Sequence, residues 1–234
     1  MVPVPPPAVP INIIIVGSGL IGTAVLQHAL TNPHVNHIYW VSRTYPPDTL
    51  RIHYKVTHLL RREFLNWHTR DLERMRGANA CIWALGPRGH NERRFNFETA
   101  QESIMRYPCQ AASQFVHSLA PYNTCGRPFN FVCVNCRTQW LPGDDTRDNA
   151  EATRRQAQTE EGLATLQRWH PLTLKILIAR PGVSTASELL DSAGKDAIKA
   201  ARHHIPLPDR SMWHKLAKRI ATKGVFAKKG AADV

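Results

Sequence analysis

The stretch that decides the fold is "IIIVGSGLIGTAVLQHAL", residues 13–30. An apolar β-branched run leads into Gly17, Gly19 and Gly22 at G-x-G-x-x-G spacing, and then into Ile21, Val25 and Leu26 at helical spacing. Residues 11–16 read as a strand buried on both faces, and 20–30 as the helix after it. That context gives the glycine spacing its meaning. Gly17 permits a tight turn, Gly19 lets backbone approach a pyrophosphate, and Gly22 lets the helix pack close to the strand. The first helical residues present N–H groups and the positive end of the helix dipole to an anion. The candidate dinucleotide loop is therefore Gly17, Ser18, Gly19, Leu20, Ile21 and Gly22.

Moving outward, "NHIYWVS" (36–42) predicts a second strand, ended by "RTYPPD", whose prolines forbid its continuation. "LRIHYKVT" (50–57) alternates well enough to predict a third, and "LLRREFLNWHTRDLERM" (59–75) reads as helical. "NACIWALG" (79–86) predicts a fourth strand. A helical region follows over roughly 97–120, which Pro108 should interrupt or kink. "PFNFVCVNC" (128–136) predicts a fifth strand, polar residues 144–169 a loop and then a helix, and "LTLKILIA" (172–179) a sixth strand. This alternation implies one α/β domain with a doubly wound parallel sheet, Rossmann-like. The divisions read as a Pro-rich lead over 1–10, the domain over 11–183, and a helix-leaning basic tail over 184–234.

The second strand ends at Ser42 and Arg43, where an acid would take the ribose 2′-hydroxyl of NAD(H). An Arg there suits a 2′-phosphate, so NADP(H) is the expected cofactor, with NAD(H) as the alternative. Small residues ending strand four, with Leu85 and Gly86, would let the backbone pass along that cofactor.

Together "VGSGLIG" (16–22), "VSR" (41–43), "ALG" (84–86), "FVCVNC" (131–136) and "IARPGV" (178–183) resemble the atypical short-chain dehydrogenase/reductase superfamily, in its small single-domain and epimerase-like members. The resemblance covers roughly 11–183. It implies a Rossmann domain, NAD(P) binding and oxidoreductase chemistry on a small-molecule substrate. It also implies a Ser or Thr after strand five and a Tyr-x-x-x-Lys on the next helix, in which Tyr shuttles a proton and Lys lowers its pKa. Residues 137–170 contain neither Tyr nor Lys. The tyrosine's place falls near Ala152 and the lysine's near Gln156, while Asn135 and Cys136 stand at the serine's end. They are the candidate catalytic residues. This departure keeps three readings open: a divergent NADP-dependent oxidoreductase, a non-catalytic or regulatory cofactor-binding protein, and a cofactor-assisted cyclase or isomerase.

Composition narrows the remaining classes. The chain has 234 residues, 43% of them hydrophobic, enough for one domain with a sizeable core. No run approaches the length of a membrane span, and the start lacks the pattern of a secretory signal, so a cytoplasmic protein is expected. The five cysteines form an odd set without framework spacing, and Cys133 and Cys136, three apart on one strand, should point to opposite faces. No metal site is expected. His203–His204 has no carboxylate nearby in the chain. The formal charge is +12, half of it from Lys215, Lys218, Arg219, Lys223, Lys228 and Lys229. Without an aromatic-interleaved basic groove, a basic tail explains this better than nucleic-acid binding.

Overall fold

A computed structural model describes residues 10–45, 48–85, 105–123, 127–134 and 146–179, with 195, 196, 198, 199 and 201; for residues 20, 48 and 146–153 it describes the backbone alone. Six parallel strands form one sheet: β1 (Ile11–Val16), β2 (Val35–Ser42), β3 (Val56–Leu60), β4 (Ala80–Trp83), β5 (Phe129–Val134) and β6 (Leu174–Ala179). Their spatial order is β3-β2-β1-β4-β5-β6. The order reverses between β1 and β4, which opens a crevice at the strands' carboxyl ends, as in doubly wound dinucleotide-binding folds.

Alternation along the strands sorts side chains into two cores. Ile14, Val16, Cys81, Trp83, Phe129, Phe131, Cys133, Leu174 and Ile176 face one way and join Phe64, Trp67 and Phe115. Ile13, Ile15, Ile38, Trp40, Ala80, Ile82, Val132 and Leu177 face the other way and meet Val25, Leu26 and Ala29. The second group belongs to helix α1 (Leu20–Thr31), which lies close because its contact residues are small or branched. Each large aliphatic side chain buried there contributes roughly 1.5–3 kcal/mol.

Helix α1 ends where Asn32 leaves helical geometry just before Pro33. Lys55 then donates to the carbonyls of Leu30 at 3.3 Å and Asn32 at 3.2 Å, a cation at the negative end of the helix dipole. At the amino ends of the strands a chain of asparagines joins neighbours. Asn36 Nδ2 donates to Asn12 Oδ1 (3.0 Å), the Asn12 N–H to Asn79 Oδ1 (2.8 Å), and Asn79 Nδ2 to Asn123 Oδ1 (2.8 Å).

Two expectations are corrected. The third strand starts later than 50–57: helix α2 (Asp48–Arg51) occupies the start, and β3 begins only at Val56. Residues 59–75 are helical only in α3 (Thr69–Arg74). Tertiary bonds override the local pattern between them. Gln114 accepts from the Trp67 N–H at 3.0 Å and donates to the Leu65 carbonyl at 2.7 Å, and the Glu63 carboxylate accepts from the N–H groups of Leu65 and Asn66. Arg61, buried, pairs with Asp71 at 2.6 Å and stacks over the Trp67 ring at 4.7 Å. Phe64 and Trp67 thereby enter the core from a non-helical segment.

The α-helical run begins only at α4 (Tyr107–Ser118), with Pro108 in its first turn, where its missing N–H has no intrahelical partner to lose; the two residues before it, 105 and 106, are π-helical, and 97–104 lie outside the described residues. Helix α5 (Thr146–Trp169) packs beside α4, close enough that a Cβ at Gly162 would stand 3.0 Å from Cys109 Sγ. Burial there pushes the Cys109 thiol up to about 11. Ile198 and Ala201 are buried in the aliphatic core, and Asn130 Nδ2 on β5 donates to the Ala201 carbonyl at 2.9 Å. Among the described residues no helix is long and apolar enough to cross a membrane.

Candidate functional site

The β1–α1 turn is built by three glycines with three different surroundings. Gly17 has φ +120°, and a Cβ there would stand 2.6 Å from the Ala84 carbonyl oxygen, where the chain leaves β4. Backbone thus passes backbone, and no side chain fits. A Cβ on Gly22 would strike the Gly17 carbonyl oxygen, so helix and turn also meet without an intervening side chain. Gly19 is the opposite case: a Cβ there would meet nothing within 4 Å. The two flanking glycines are required by the protein itself, and the middle one is not.

Other groups fix the turn. The Gly17 N–H donates to the Val41 carbonyl, and Trp40 Nε1 donates to the Gly17 carbonyl, each at 2.9 Å. Trp40 is buried on β2, and its indole N–H finds this acceptor at the loop. The Thr23 hydroxyl reaches the Ser18 carbonyl at 3.4 Å. The first turn of α1 carries no acid. Its leading N–H groups have no intrahelical acceptors, which leaves the helix start beside Gly19 with donors for an anion. Leu20 and Ile21 form that first turn, and Leu85 follows Ala84 beside Gly17 with its side chain packed on the aromatic core.

A second cluster lies at the carboxyl ends of β2 and β3. The Ser42 hydroxyl donates to the Thr44 carbonyl at 2.6 Å and meets His58 Nε2 at 2.8 Å. Ser42 is fully buried, so its side chain holds the turn together. Arg43, the next residue, is half-buried with its guanidinium 5.4 Å from the centre of the Phe64 ring. Arg51 on α2 stands over Tyr45, whose ring is 5.8 Å from that of His58. Burial, and then the Arg51 charge, lower the pKa of His58 below its ordinary 6.5. The residues thus fit a dinucleotide at two points, an open backbone cradle for the pyrophosphate and a cationic corner one strand away.

The structure brings Gly17, Ser18, Gly19, Leu20, Ile21, Gly22, Ser42, Arg43 and Leu85 to one edge of the sheet. Gly86, Asn135, Cys136, Cys125, Trp140, His203–His204 and the basic stretch 211–230 lie outside the described residues. Gln156 is on α5, where Ala152 is described by backbone alone. Cys133 is buried on β5. Sequence reading passed over Trp40 and His58. A Trp among β-branched neighbours was the available signal for the first, since its buried N–H must find an acceptor; His58 carried none. A shallow cavity of about 470 Å³ lined by His28, Pro33, Lys195 and Lys199 lies at the far end of α1, away from these groups.

No family model matches the chain, and neither does any curated protein sequence. Solved structures do match in shape. A protein provisionally described as a short-chain alcohol dehydrogenase, from Burkholderia multivorans, superposes with a TM-score of 0.60 at 10% identity, covering 82% of this chain and 92% of that one. The bulky-bulky ketone specific alcohol dehydrogenase from Comamonas testosteroni has a TM-score of 0.53 at 16% identity, over 96% of both chains. The Bordetella bronchiseptica enzyme WbmF, solved with NADH, gives 0.53 at 12% identity, over 74% of this chain and 49% of that one. With its six-stranded parallel sheet and glycine turn, this chain has the Rossmann-like fold of the short-chain dehydrogenases.

Proposed function

We propose that the chain binds NADP(H) along the carboxyl ends of β1, β2 and β4, and that it is a divergent oxidoreductase of small-molecule metabolism. The observation that carries the binding is the contrast within the glycine turn. Gly17 and Gly22 are forced by contacts inside the protein, whereas Gly19 faces open space and has no internal reason to lack a side chain. A pyrophosphate against the backbone supplies that reason. Arg43 and Arg51 favour a 2′-phosphate over a bare ribose, since an Arg–phosphate contact is charge-assisted and geometrically specific.

When bound, the nicotinamide would give or accept a hydride. The chain's own part is to hold the cofactor, exclude water and supply a proton. Residues 137–170 offer no Tyr or Lys for that last task, and Asn135 and Cys136 are the nearest polar side chains in the sequence. The same lack favours a second reading, a cofactor-binding protein without catalysis.

Titration calorimetry with NADP+ and NAD+ on the unmodified chain and on Gly19→Ser tests the proposal. Binding by the parent and a loss of tenfold or more in the variant is expected; a folded parent that binds neither cofactor would overturn it. A panel of aldehydes and ketones then separates the two readings. Slow NADPH oxidation, raised by Ala152→Tyr with Gln156→Lys, marks an enzyme with a degenerate proton path. No oxidation under any condition marks the non-catalytic protein.

A further inference from the structure

The structure assigns a docking role to the open edge of β3: it takes an acidic, extended segment of a partner protein as a further strand of the sheet. The inference stands apart from the cofactor reading, because no residue of the glycine turn takes part in it.

β3 ends the strand order and pairs with β2 alone. That ladder decides which main-chain groups are spent. The Lys55 carbonyl accepts from the Ile38 N–H, and the Arg61 N–H donates to the Ser42 carbonyl, each at 2.8 Å. Alternate residues of a parallel strand bond to the same neighbour, so Thr57 and Leu59 also turn toward β2. The N–H groups of His58 and Leu60 and the carbonyls of Val56 and His58 therefore face outward. Among the described residues no main-chain bond reaches them. The Val56 N–H is held by the His53 carbonyl at 2.8 Å, which marks where the open edge starts.

Such an edge is a template for another chain, and proteins commonly blunt it with a charge, a proline or a bulge. β3 reads Val56-Thr57-His58-Leu59-Leu60, with no lysine, arginine, acid or proline, and its register on β2 runs without a shift. β6, at the other end of the described sheet, carries Lys175. Apolar surface gathers at the β3 end too. Of the seven large apolar side chains left exposed among the described residues, four lie within 45–60: Tyr45, Ile52, Tyr54 and Leu60. The Tyr45 ring stands 5.8 Å from that of His58, and Leu60 shares the face of His58. Alternate apolar side chains of an added strand would find partners there.

Charge selects the occupant. Residues 49–62 hold Arg51, Lys55, Arg61 and Arg62 and no acid. Asp71 pairs with Arg61, and the Glu63 carboxylate is taken by the N–H groups of Leu65 and Asn66. A strand with Asp or Glu at its polar positions meets Arg51 and Lys55 before the edge and the exposed Arg62 after it. A second copy fits worse: antiparallel pairing centred on His58 sets Lys55 opposite Arg61, like charge against like. The net charge of +12 adds to the preference for an acidic partner at longer range.

Fluorescence anisotropy on the full chain tests this, with a labelled heptapeptide alternating valine and glutamate as the probe. Two relatives of the probe separate main chain from charge, one with lysine in place of glutamate and one N-methylated throughout. Binding of the acidic probe is expected, with amide hydrogen exchange slowed at His58 and Leu60, and each relative should bind about tenfold or more weakly. Leu60→Pro removes an outward N–H while sparing the bonds to β2, and should weaken the acidic probe to a similar degree. Arg62→Glu, an exposed change that keeps the edge, should weaken it several-fold. A folded chain that does not bind the acidic probe, or binds the N-methylated one equally, would overturn strand pairing. Equal binding of the lysine probe would overturn the acidic partner. Self-association abolished by Leu60→Pro would make a second copy the occupant and overturn the inference as well. Each of these outcomes leaves the cofactor reading where its own titrations put it.

Discussion

The two faces of the sheet solve the same burial problem with different materials. One face is aromatic, with Trp83, Phe129 and Phe131 on the strands meeting Phe64, Trp67 and Phe115, and T-shaped contacts recur at ring distances of 4.7–6.1 Å. The other is nearly all aliphatic, with isoleucines of β1 against Val25, Leu26 and Ala29 of α1. Helix α1 must start within backbone contact of the β1 turn, and among the described residues the core there holds one aromatic ring, Trp40, which bonds the Gly17 carbonyl itself. Helices α4 and α5 have no such duty, so the space beneath them is filled by large side chains. The difference separates a face where backbone meets backbone at the glycine turn from one filled by ring volume.

Removing one ring from the aromatic face should give the largest loss. Phe131→Ala leaves a void at a fully buried position of that core and should cost about 3–5 kcal/mol, read from urea denaturation midpoints. A loss under about 1 kcal/mol would mean that the rings there are loosely packed. Gly22→Ala tests the opposite face by crowding it. The added methyl meets the Gly17 carbonyl, and a loss of about 1–3 kcal/mol together with weakened cofactor binding is expected. Ile15→Val, which thins the aliphatic face by one methylene, should cost only about 0.5–1.5 kcal/mol.

The smallest stability effect belongs to Gly19→Ser. Position 19 caps α1 with φ −72°, which any residue adopts, and Ser is a better N-cap than Gly by a few tenths of a kcal/mol. The variant should melt at or slightly above the parent temperature while losing cofactor affinity. A clear drop in melting temperature would show that Gly19 is structural after all. A pH series sharpens the picture of the β2–β3 end. His37 and His58 both have pKa values lowered by burial, from 6.5. The unfolded chain therefore binds more protons just below that value. Stability is full above about pH 6.5 and declines as pH falls through the lowered values. His58→Gln should flatten part of that decline.

The sequence carried the fold where pattern and packing agree. β1 runs over Ile11–Val16 as read, because every residue of it but one is buried and β-branched runs of that length have one good use. β4, β5 and β6 fall inside the stretches expected for them. The misreading over 50–75 has a physical source: β3 is an edge strand, and the segment after it is held by Gln114, far along the chain. No local pattern announces a bond across 47 residues. At the site, the glycine spacing announced the turn, but not that Ser42 would spend its hydroxyl internally or that His58 would stand beside it.

The asparagine chain at the amino ends has a consequence for how such a protein can change over generations. It rivets β2, β1, β4 and the approach to β5 at one rim, and every cofactor candidate described stands at the other. Substitutions at the ligand-bearing rim can alter what is bound or converted without loosening the strands' alignment. A scaffold fastened on one side tolerates chemical experiment on the other, and a catalytic pair can be lost there while the sheet persists.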